Sequence, residues 1–408
     1  MKRWIPIIII LVAGIVGALW LSRRDTPDIR PGTRLGSDAL VRLRLSGGGN
    51  HALAIGPDGS LWSWGEAGSA LGLGNINRPV PNPTRVGTDK DWAAVAAGFS
   101  TSYALKRDGS LWTWGSDPSG ALGLGGTNFQ PRDIPTRAAS TASWLVVGAG
   151  LHHGAGLQAD GTLWTWGDNG FGQLGVSGRP RTSAPSRLGA DTNWHALAVG
   201  ALANAAIKRD GTLWTWGDSS LTPTVMANHP TNHHEPVRVG TASNWVALAA
   251  GYYHFLALAS DGTLWHWGRN SHLLGGVPAK DPSKPRQFGE GTNWVAIYDG
   301  AYDNLARHQD GSLWQLGGHS TAGHARRLDG DWAAAATGAE FIVLASPDGA
   351  LWHSGKIPGA QPRANWLGGL WRELRGLFGA RPQIGRTVPT RNKLEIIYRW
   401  SPRDEATR

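Results

Sequence analysis

Residues 108–115 read Asp-Gly-Ser-Leu-Trp-Thr-Trp-Gly, and variants of this stretch recur along the whole chain. An Asp-Gly step with Leu-Trp at the third and fourth positions after the Asp occurs seven times. One Gly stands ten residues before each Asp and another stands seven residues after it. This frame predicts seven structural units of about 50 residues each. The seven Asp residues are Asp58, Asp108, Asp160, Asp210, Asp261, Asp310 and Asp348.

Each unit has the pattern of four β-strands. Asp-Gly between two alternating runs predicts a hairpin, because the turn needs a positive φ. An earlier run of small residues, such as residues 93–97, predicts an innermost strand that can converge with its neighbours near an axis. Proline-containing segments, such as residues 83–86, predict an outer edge strand, where Pro does least harm. The sequence therefore predicts an all-β, seven-bladed β-propeller over residues 40–360.

The recurrent positions of tryptophan indicate how the blades pack against one another. The chain has 23 Trp, and most of them occupy three positions of the frame: before the inner strand, four residues after the Asp, and six residues after it. A buried Trp removes about 150–250 Å² from water. We therefore expect the repeated Trp to form the core between blades.

Two copies of the frame, over residues 92–125 and 144–175, resemble the regulator of chromosome condensation repeat. The resemblance covers roughly residues 40–360 and implies a seven-bladed propeller whose loops bind partners. The best-known nuclear member of that family exchanges nucleotide on a small GTPase, and a secreted bacterial member inhibits β-lactamases. Neither activity follows from the repeat itself. We interpret the chain as a bacterial, membrane-anchored member.

The amino-terminal residues predict a membrane anchor. Residues 4–21 are an apolar run between two basic pairs, and 18 residues span about 27 Å as a helix. We therefore predict a cytoplasmic tip and transmembrane helix in residues 1–24 and a linker over residues 25–39. A cleaved signal peptide is the alternative, because Val16 and Ala18 are small enough for a cleavage site.

The expected location is the inner (cytoplasmic) membrane, crossed once, with the propeller facing the periplasm or the cell exterior. Basic residues lie on both sides of the apolar run, so the opposite orientation stays open.

The carboxy-terminal extension, residues 361–408, is basic. Apolar residues between positions 366 and 378 fall on one stripe and predict an amphipathic helix over residues 365–379. This helix would dock on the propeller or lie in the membrane interface. Residues 393–400 would either add a strand that closes the ring or form a loose tail.

The charge distribution argues against a nucleic-acid partner. The net charge is +9, but residues 35–359 hold 23 basic and 24 acidic side chains, so the excess lies in the tails. Phosphate backbones require a concentrated cationic surface, which the propeller lacks. The chain has no Cys, which excludes disulfides and thiolate metal sites. We expect a monomer.

No motif indicates catalysis or a cofactor. Residues 170–175 match the dinucleotide fingerprint Gly-x-Gly-x-x-Gly, but they open no helix of a βαβ unit. Residues 229–235 contain three His and one Glu that could suit zinc, yet a loop with a proline fixes no ligand geometry, so a solvated loop is favoured. His51, His153 and His254 share one repeat position, which favours a role in blade packing or turn bonding. We predict no enzyme, no metal and no cofactor.

Strand alternation does predict a binding surface. The loops before and after each Asp-Gly hairpin lie on the face opposite the Asp-Gly turns, and their residues vary while their flanks stay fixed. Aromatic residues among polar ones suit a protein interface, although ordinary surface variation is the rival interpretation. The candidate partner-binding residues are Phe99, Leu151, His152, Tyr252, Tyr253, Tyr302, Asp168, Asn169, Arg269 and Asn270.

The function that this sequence predicts is a non-enzymatic, membrane-tethered protein-binding propeller that acts as an interaction or scaffold module. The alternative is a regulator of a partner enzyme through the same face, working as a nucleotide-exchange factor or as a β-lactamase inhibitor does.

Overall fold

Seven four-stranded antiparallel sheets, each built in the order of the chain, make up the described part of the protein. The computed structural model describes residues 44–66, 68–75, 78–140, 142–218, 233–268, 284–317, 325–355 and 395–399. The sheets are the blades of a propeller, numbered 1 to 7 along the chain, so the predicted seven-bladed, all-β fold is confirmed.

The strands of blades 1 to 3 are β1 (Arg44–Gly47), β2 (His51–Ile55), β3 (Leu61–Gly65), β4 (Val80–Arg85), β5 (Trp92–Ala97), β6 (Thr101–Lys106), β7 (Leu111–Gly115), β8 (Arg132–Arg137), β9 (Trp144–Ala149), β10 (His153–Gln158), β11 (Leu163–Asp168) and β12 (Arg181–Arg187). A 3-10 turn, Ser69–Leu71, lies between β3 and β4. Blades 4 and 5 comprise β13 (Trp194–Val199), β14 (Ala203–Lys208), β15 (Leu213–Gly217), β16 (His233–Arg238), β17 (Trp245–Ala250), β18 (His254–Ala259), β19 (Leu264–Gly268) and β20 (Arg286–Gln287). Blades 6 and 7 comprise β21 (Trp294–Tyr298), β22 (Asp303–His308), β23 (Leu313–Gly317), β24 (Arg326–Leu328), β25 (Ala334–Thr337), β26 (Phe341–Ala345), β27 (Ala350–Gly355) and β28 (Glu395–Arg399).

The first strand of each blade is the innermost one, as predicted. Each first strand contacts the first strands of both neighbouring blades, and β1 contacts β5 on one side and β25 on the other. The small residues of these strands, such as the Ala residues of β5, allow this close convergence around the axis. The contact between β1 and β25 closes the ring.

The direction of the strands gives the propeller two distinct faces. Because successive strands are antiparallel, the loops between first and second strands and between third and fourth strands emerge at one end of each blade. We call this end the loop face. The Asp-Gly turns and the connections between blades emerge at the other end, which we call the turn face.

Each Asp-Gly turn carries a short chain of hydrogen bonds that fixes a Trp. In blade 2, Gly109 has a φ of 80°, and the Asp108 carboxylate accepts bonds from the Ser110 backbone N–H (2.9 Å) and hydroxyl (2.6 Å). The indole N–H of Trp112 in turn donates to the Ser110 hydroxyl (3.0 Å). The same relay recurs in blades 1 to 6 with Ser or Thr at the middle position. The repeated Asp, Ser or Thr, and Trp therefore act as one unit.

The expectation that all repeated Trp are core needs one correction. The Trp six residues after the Asp are fully buried, with at most 1% of their surface exposed; they are Trp64, Trp114, Trp166, Trp216 and Trp267. The Trp four residues after the Asp are only half-buried. In blades 2 to 7 this half-buried ring packs edge-on against the Trp at the start of the inner strand, as Trp112 does against Trp92 at 5.9 Å. Their position beside the turn relay keeps one edge near solvent.

The outer strand of blade 7 comes from the carboxy-terminal segment. β28 pairs antiparallel with β27, so that Leu351 lies opposite Tyr398 and His353 opposite Glu395. Of the two alternatives for this segment, the structure has the closing strand. β28 also contacts β4 of blade 1, which joins the two ends of the propeller at its periphery.

Several predicted elements lie outside the described residues. They are the anchor at residues 4–21, the linker at residues 25–39 and the amphipathic helix at residues 365–379. Within the part of the chain that the structure describes, no helix is long and apolar enough to cross a membrane.

Candidate protein-interaction face

The loops after the framework glycines are joined into a ring on the loop face. In five of the seven blades, the residue after this glycine donates its backbone N–H to a loop carbonyl of the next blade. The bonds run from Gly49 to Gly98 (3.0 Å), Leu151 to Ala201 (3.1 Å), Ala201 to Tyr252 (3.3 Å), Tyr252 to Ala301 (2.8 Å) and Ala339 to Gly48 (3.1 Å). These bonds hold the loops at fixed positions around the axis.

The framework glycines permit this ring because no side chain fits there. A Cβ atom on Gly98 would stand 2.8 Å from the carbonyl oxygen of Gly150, and one on Gly150 would stand 2.8 Å from that of Gly200. Each distance is too short for a methyl group beside backbone. The glycine ten residues before each Asp is therefore explained by close approach between blades.

Four aromatic side chains from these loops meet above the axis. Tyr252 lies 5.4 Å from Tyr302, 6.4 Å from Tyr253 and 6.0 Å from Phe99, measured between ring centroids. Phe99 belongs to blade 2 and Tyr252 to blade 5, which stand on opposite sides of the ring. Their contact therefore spans the axis. We call Phe99, Tyr252, Tyr253 and Tyr302 the aromatic cap.

The aromatic cap combines exposed carbon surface with buried polar groups. Phe99 is 41% exposed, and the three Tyr are half-buried. The hydroxyl of Tyr252 is buried and has no hydrogen-bond partner among the described residues. Desolvation raises the pKa of Tyr252, with smaller effects from Tyr302 and Tyr253. Desolvation also raises the pKa of Tyr302, as do Tyr253 and the negative charge of Glu340.

The other predicted surface residues have different environments. Leu151 and His152 are half-buried on the corresponding loop of blade 3, next to the loop that bears Phe99. Asp168 is half-buried and accepts bonds from Gln173 (2.7 Å) and the Gly170 backbone (3.2 Å) within its own loop. Arg269 and Asn270 lie outside the described residues.

Asn169 is not a surface residue, which corrects its inclusion among the candidates. It is 3% exposed, and its side-chain oxygen accepts the backbone N–H of Leu174 at 2.9 Å. Its amide nitrogen donates to the carbonyls of Val176 (2.9 Å) and Arg179 (2.6 Å). All these bonds lie within the loop between β11 and β12, so Asn169 shapes that loop and is removed from the candidate site.

The three repeated histidines connect neighbouring blades. His51 Nε2 lies 2.8 Å from the Ser102 hydroxyl, His153 Nε2 lies 2.9 Å from Asn204 Oδ1, and His254 contacts Asn304. Each partner belongs to the next blade. Burial lowers the pKa of all three histidines to about 4. They are neutral packing residues at neutral pH, in agreement with the role that the sequence favoured.

The carbonyl that precedes the Leu-Gly step is a second link between blades, and sequence reasoning missed it. The indole N–H groups of Trp114, Trp166 and Trp216 donate to the carbonyls of Ala70, Ala121 and Gln173 in the preceding blade, at 2.8, 2.8 and 3.0 Å. The recurrence of Leu-Gly beside a recurrent Trp is the signal that could have indicated it.

The described residues of the two motifs that match a dinucleotide or zinc pattern lie in a loop and in an outer strand of the propeller. Residues 170–175 lie in the loop between β11 and β12 and open no helix. His233, His234 and Glu235 begin the outer strand β16, so this part of the predicted loop is a strand; His229 lies outside the described residues. Within the described ranges, no group of three or more His, Asp or Glu could hold a metal ion.

Solved structures of known proteins share this fold. Human WBSCR16 superposes with a TM-score of 0.66 at 20% identity, over 76% of this chain and 88% of that one. Prp20p from Saccharomyces cerevisiae, described with its binding properties to Gsp1p and histones, gives 0.63 at 20% identity, over 74% and 82%. These likenesses show the fold.

Curated relatives also match by sequence, among them the following two. The human protein named probable E3 ubiquitin-protein ligase HERC6 is 29% identical over 41% of this chain and 17% of its own length. The ultraviolet-B receptor UVR8 of Arabidopsis thaliana is 28% identical over 37% of this chain and 35% of its own length. The chain thus spans about a third or less of these relatives. A family model for the RCC1-like domain matches residues 11–331, and the chain therefore belongs to the RCC1-like domain family.

Proposed function

We propose that this chain is a non-enzymatic propeller that binds a partner protein through the aromatic cap and is tethered to the inner membrane by residues 4–21, with the propeller outside the cytoplasm. The observation that carries the proposal is the cap itself. Aromatic rings from opposite sides of the ring of blades meet over the axis and keep exposed surface there. Protein interfaces are enriched in Tyr and Phe at their centres, surrounded by polar residues.

The construction of the cap supports recognition because its geometry is fixed before a partner arrives. The loop ring holds the backbone of Tyr252 by bonds to both neighbouring blades. A rigid aromatic surface loses little conformational entropy on binding, which favours affinity. Yeast Prp20p, which shares this fold, is described as binding the proteins Gsp1p and histones, and a further structure shows it bound to Kap60.

Photo-crosslinking in intact cells tests both parts of the proposal. A benzoyl-phenylalanine residue placed at Phe99 should yield a discrete protein adduct. The adduct and the unlinked chain should stay with membranes through a carbonate wash, because the apolar run anchors them. Adding Tyr252→Ala should reduce the Phe99 adduct at least tenfold, since hot-spot residues contribute about 2 kcal/mol or more.

The matched control is the same photo-reactive residue at Leu145. Leu145 is 43% exposed, close to the exposure of Phe99, but it lies near the turn-face end of β9. Equal adducts from both positions, or none from Phe99, would refute the cap as the binding site. Release of the chain by carbonate would refute the tether alone.

A further inference from the structure

Two backbone N–H groups that stand just before framework glycines are bonded to a side chain of a neighbouring blade. The N–H of Ala97, in blade 2, donates to the Ser46 hydroxyl of blade 1 at 2.9 Å. The N–H of Ala250, in blade 5, donates to the Asp299 carboxylate of blade 6 at 2.7 Å. The two junctions use the same kind of bond, but only the Asp299 acceptor can gain or lose a charge with pH.

The propeller does not require a carboxylate at this position. Asp299 directly precedes the framework glycine of blade 6, and no other blade has an ionisable residue there. The equivalent residues are Gly47, Ala97, Ala149, Val199, Ala250 and Thr337. Asp299 is therefore a feature of this junction and not of the repeat.

Asp299 joins the two segments that carry the central pair of the aromatic cap. Its partner Ala250 is two residues before Tyr252, and Asp299 itself is three residues before Tyr302. The Tyr252 N–H also donates to the Ala301 carbonyl, at 2.8 Å. These two bonds hold the blade 5 and blade 6 loops together where the Tyr252 and Tyr302 rings meet edge-on at 5.4 Å. A change at Asp299 therefore acts directly on the cap.

The environment of the Asp299 carboxyl opposes its ionisation. The residue is half-buried, and desolvation raises the pKa of its carboxyl to about 7, against a smaller lowering effect of the Ala250 bond. No charged group among the described residues contributes to this shift. The carboxyl therefore changes its charge close to neutral pH.

The strands packed against Asp299 bring no cation to it within the described ranges. β17 and β25 contain no ionisable residue, and β18 contains only His254, which is neutral because burial lowers its pKa to about 4. From β22, Asp303 is itself acidic, and Arg307 donates to a backbone carbonyl of blade 7, on the side of the sheet away from Asp299. His308 lies at the turn-face end of β22. No Lys or Arg occurs in the cap loops beside this junction, which are residues 251–253, 300–302 and 338–340.

We propose that Asp299 is a pH switch of the binding face: the neutral carboxyl keeps the junction between blades 5 and 6 closed beneath the aromatic cap, and the charged carboxylate loosens it. This inference rests on the proposed function and adds its regulation. A neutral carboxyl still accepts the Ala250 N–H through its carbonyl oxygen and leaves no buried charge. The Tyr252 and Tyr302 rings therefore keep their geometry below about pH 7, and partner binding weakens as the pH rises above it.

A single fluorine atom in the full chain tests the switch. 4-Fluorophenylalanine in place of Phe99, which contacts Tyr252 across the axis, gives one fluorine resonance that reports on the cap. This resonance should shift with pH and have its midpoint near pH 7. Asp299→Asn keeps a side-chain oxygen for the Ala250 N–H without the charge, so its resonance should stay at the acidic position at every pH.

Two control variants keep Asp299 and should keep the midpoint. Ser46→Ala removes the equivalent acceptor for the Ala97 N–H, which does not ionise. His152→Gln removes an ionisable side chain from the blade 3 loop beside Phe99. A resonance that does not shift with pH, or one that still titrates in Asp299→Asn, would overturn the switch.

Urea unfolding provides a second measurement that does not depend on the cap. A carboxyl whose folded pKa is raised stabilises the fold below its unfolded pKa of about 3.8, and that stability is lost as the pH rises to about 7. Asp299→Asn removes this loss, so it should raise the urea midpoint far more at pH 8 than at pH 4. An equal change at both pH values would overturn the switch.

The photo-adduct at Phe99 tests the effect on the partner, in permeabilised cells whose propeller is reached by the buffer. The neutral fraction of a carboxyl with a pKa of about 7 falls about tenfold from pH 6 to pH 8, so the adduct should fall about fivefold or more. In Asp299→Asn it should keep its pH 6 yield. Equal adducts at both pH values would overturn the switch and leave the proposed function standing. No adduct at either pH would overturn both.

Discussion

The contacts between blades differ on the two sides of the ring. From blade 1 to blade 4, every junction includes an indole N–H that donates to the carbonyl before a Leu-Gly step, and these carbonyls are those of Ala70, Ala121 and Gln173. After blade 4 the Leu-Gly step is lost from the corresponding position after Gly217. The indole N–H of Trp267, in blade 5, is buried and has no partner among the described residues. The fully buried Trp of blades 2 to 4 is thus hydrogen-bonded to the preceding blade, whereas that of blade 5, Trp267, has no hydrogen-bond partner within the described ranges.

The three junctions between blades 1 and 4 share one feature, a loop carbonyl that accepts hydrogen bonds from the next blade. Ala70 O also accepts the Ser102 hydroxyl (2.8 Å), and Gln173 O also accepts the Asn204 amide (2.7 Å). At the junction between blades 2 and 3 this donor position is Gly154, and the Tyr103 hydroxyl donates to Ala121 O instead. The loop carbonyl is constant while the second donor changes. The repeat therefore preserves an acceptor at each of these three junctions, whereas the second donor to it varies.

The largest expected effect on the junctions between blades comes from protonation of the buried histidines. Burial lowers the pKa of His153 to about 4, below its usual value of 6.5. The unfolded chain then binds more protons between these pH values, so stability is complete above about pH 6.5 and falls as the pH drops to about 4. His153→Gln should remove about 3 kcal/mol of this pH dependence, measured by urea unfolding at pH 7 and pH 4.

Exposed His195, in the next blade, provides the control. His195→Gln should leave the unfolding free energy at pH 7 unchanged, because the side chain is exposed. The pKa of His254 is also lowered to about 4, although its partner Asn304 belongs to the less regular side of the ring. His254→Gln should therefore resemble His153→Gln. Parallel pH curves for a variant and the unaltered protein would show that the histidine has the same pKa in the folded and unfolded states, which would contradict the lowered pKa.

A smaller effect tests the indole bonds themselves. Trp166→Phe removes the bond to Ala121 O, whereas Trp267→Phe removes a buried N–H that has no partner among the described residues. A lost bond costs about 1 kcal/mol, and relief of an unpaired buried donor returns a similar amount. Trp166→Phe should therefore cost about 2 kcal/mol more free energy of unfolding than Trp267→Phe. Both rings are fully buried, so the volume loss is matched. Equal costs would remove the distinction between the two sides.

The sequence predicted the parts of the fold that repeat. The seven blades, the Asp-Gly turns, the innermost strands and the face on which Tyr252 and Phe99 lie all follow from spacing and strand alternation. These features depend on local geometry, which recurs whenever the same residues recur. The closing strand β28 could only be suggested, because residues 356–394 separate it from its partner β27.

The features that could not be predicted depend on contacts that form only in the folded structure. Spacing places Phe99 and Tyr252 in equivalent loops, but it does not show that their rings meet over the axis. Asn169 occupies a variable, polar loop position, yet three hydrogen bonds within that loop bury it. The half-burial of Trp164 likewise results from the turn relay at Thr162, which holds the indole at the edge of the blade.

The smallest expected effect concerns the turn relay, which differs between blade 2 and blade 7. In blade 7 the position after Asp-Gly is Ala350, and Ser346 supplies the hydroxyl instead. The Trp352 indole lies 3.4 Å from that hydroxyl, whereas the Trp112 indole lies 3.0 Å from the Ser110 hydroxyl. Longer hydrogen bonds are weaker.

Ser110→Ala should therefore cost about 1 kcal/mol of unfolding free energy, because it leaves the Trp112 indole without its acceptor. Ser346→Ala should cost less than half as much, since its bond to Trp352 is already long. Urea unfolding gives both values, and exposed Ser177→Ala, outside any relay, should change stability by no more than measurement error. If Ser346→Ala costs as much as Ser110→Ala, then the substitute hydroxyl of blade 7 is as effective as the repeated one. The two sides of the ring would then differ in the junctions between blades but not in the Asp-Gly turns.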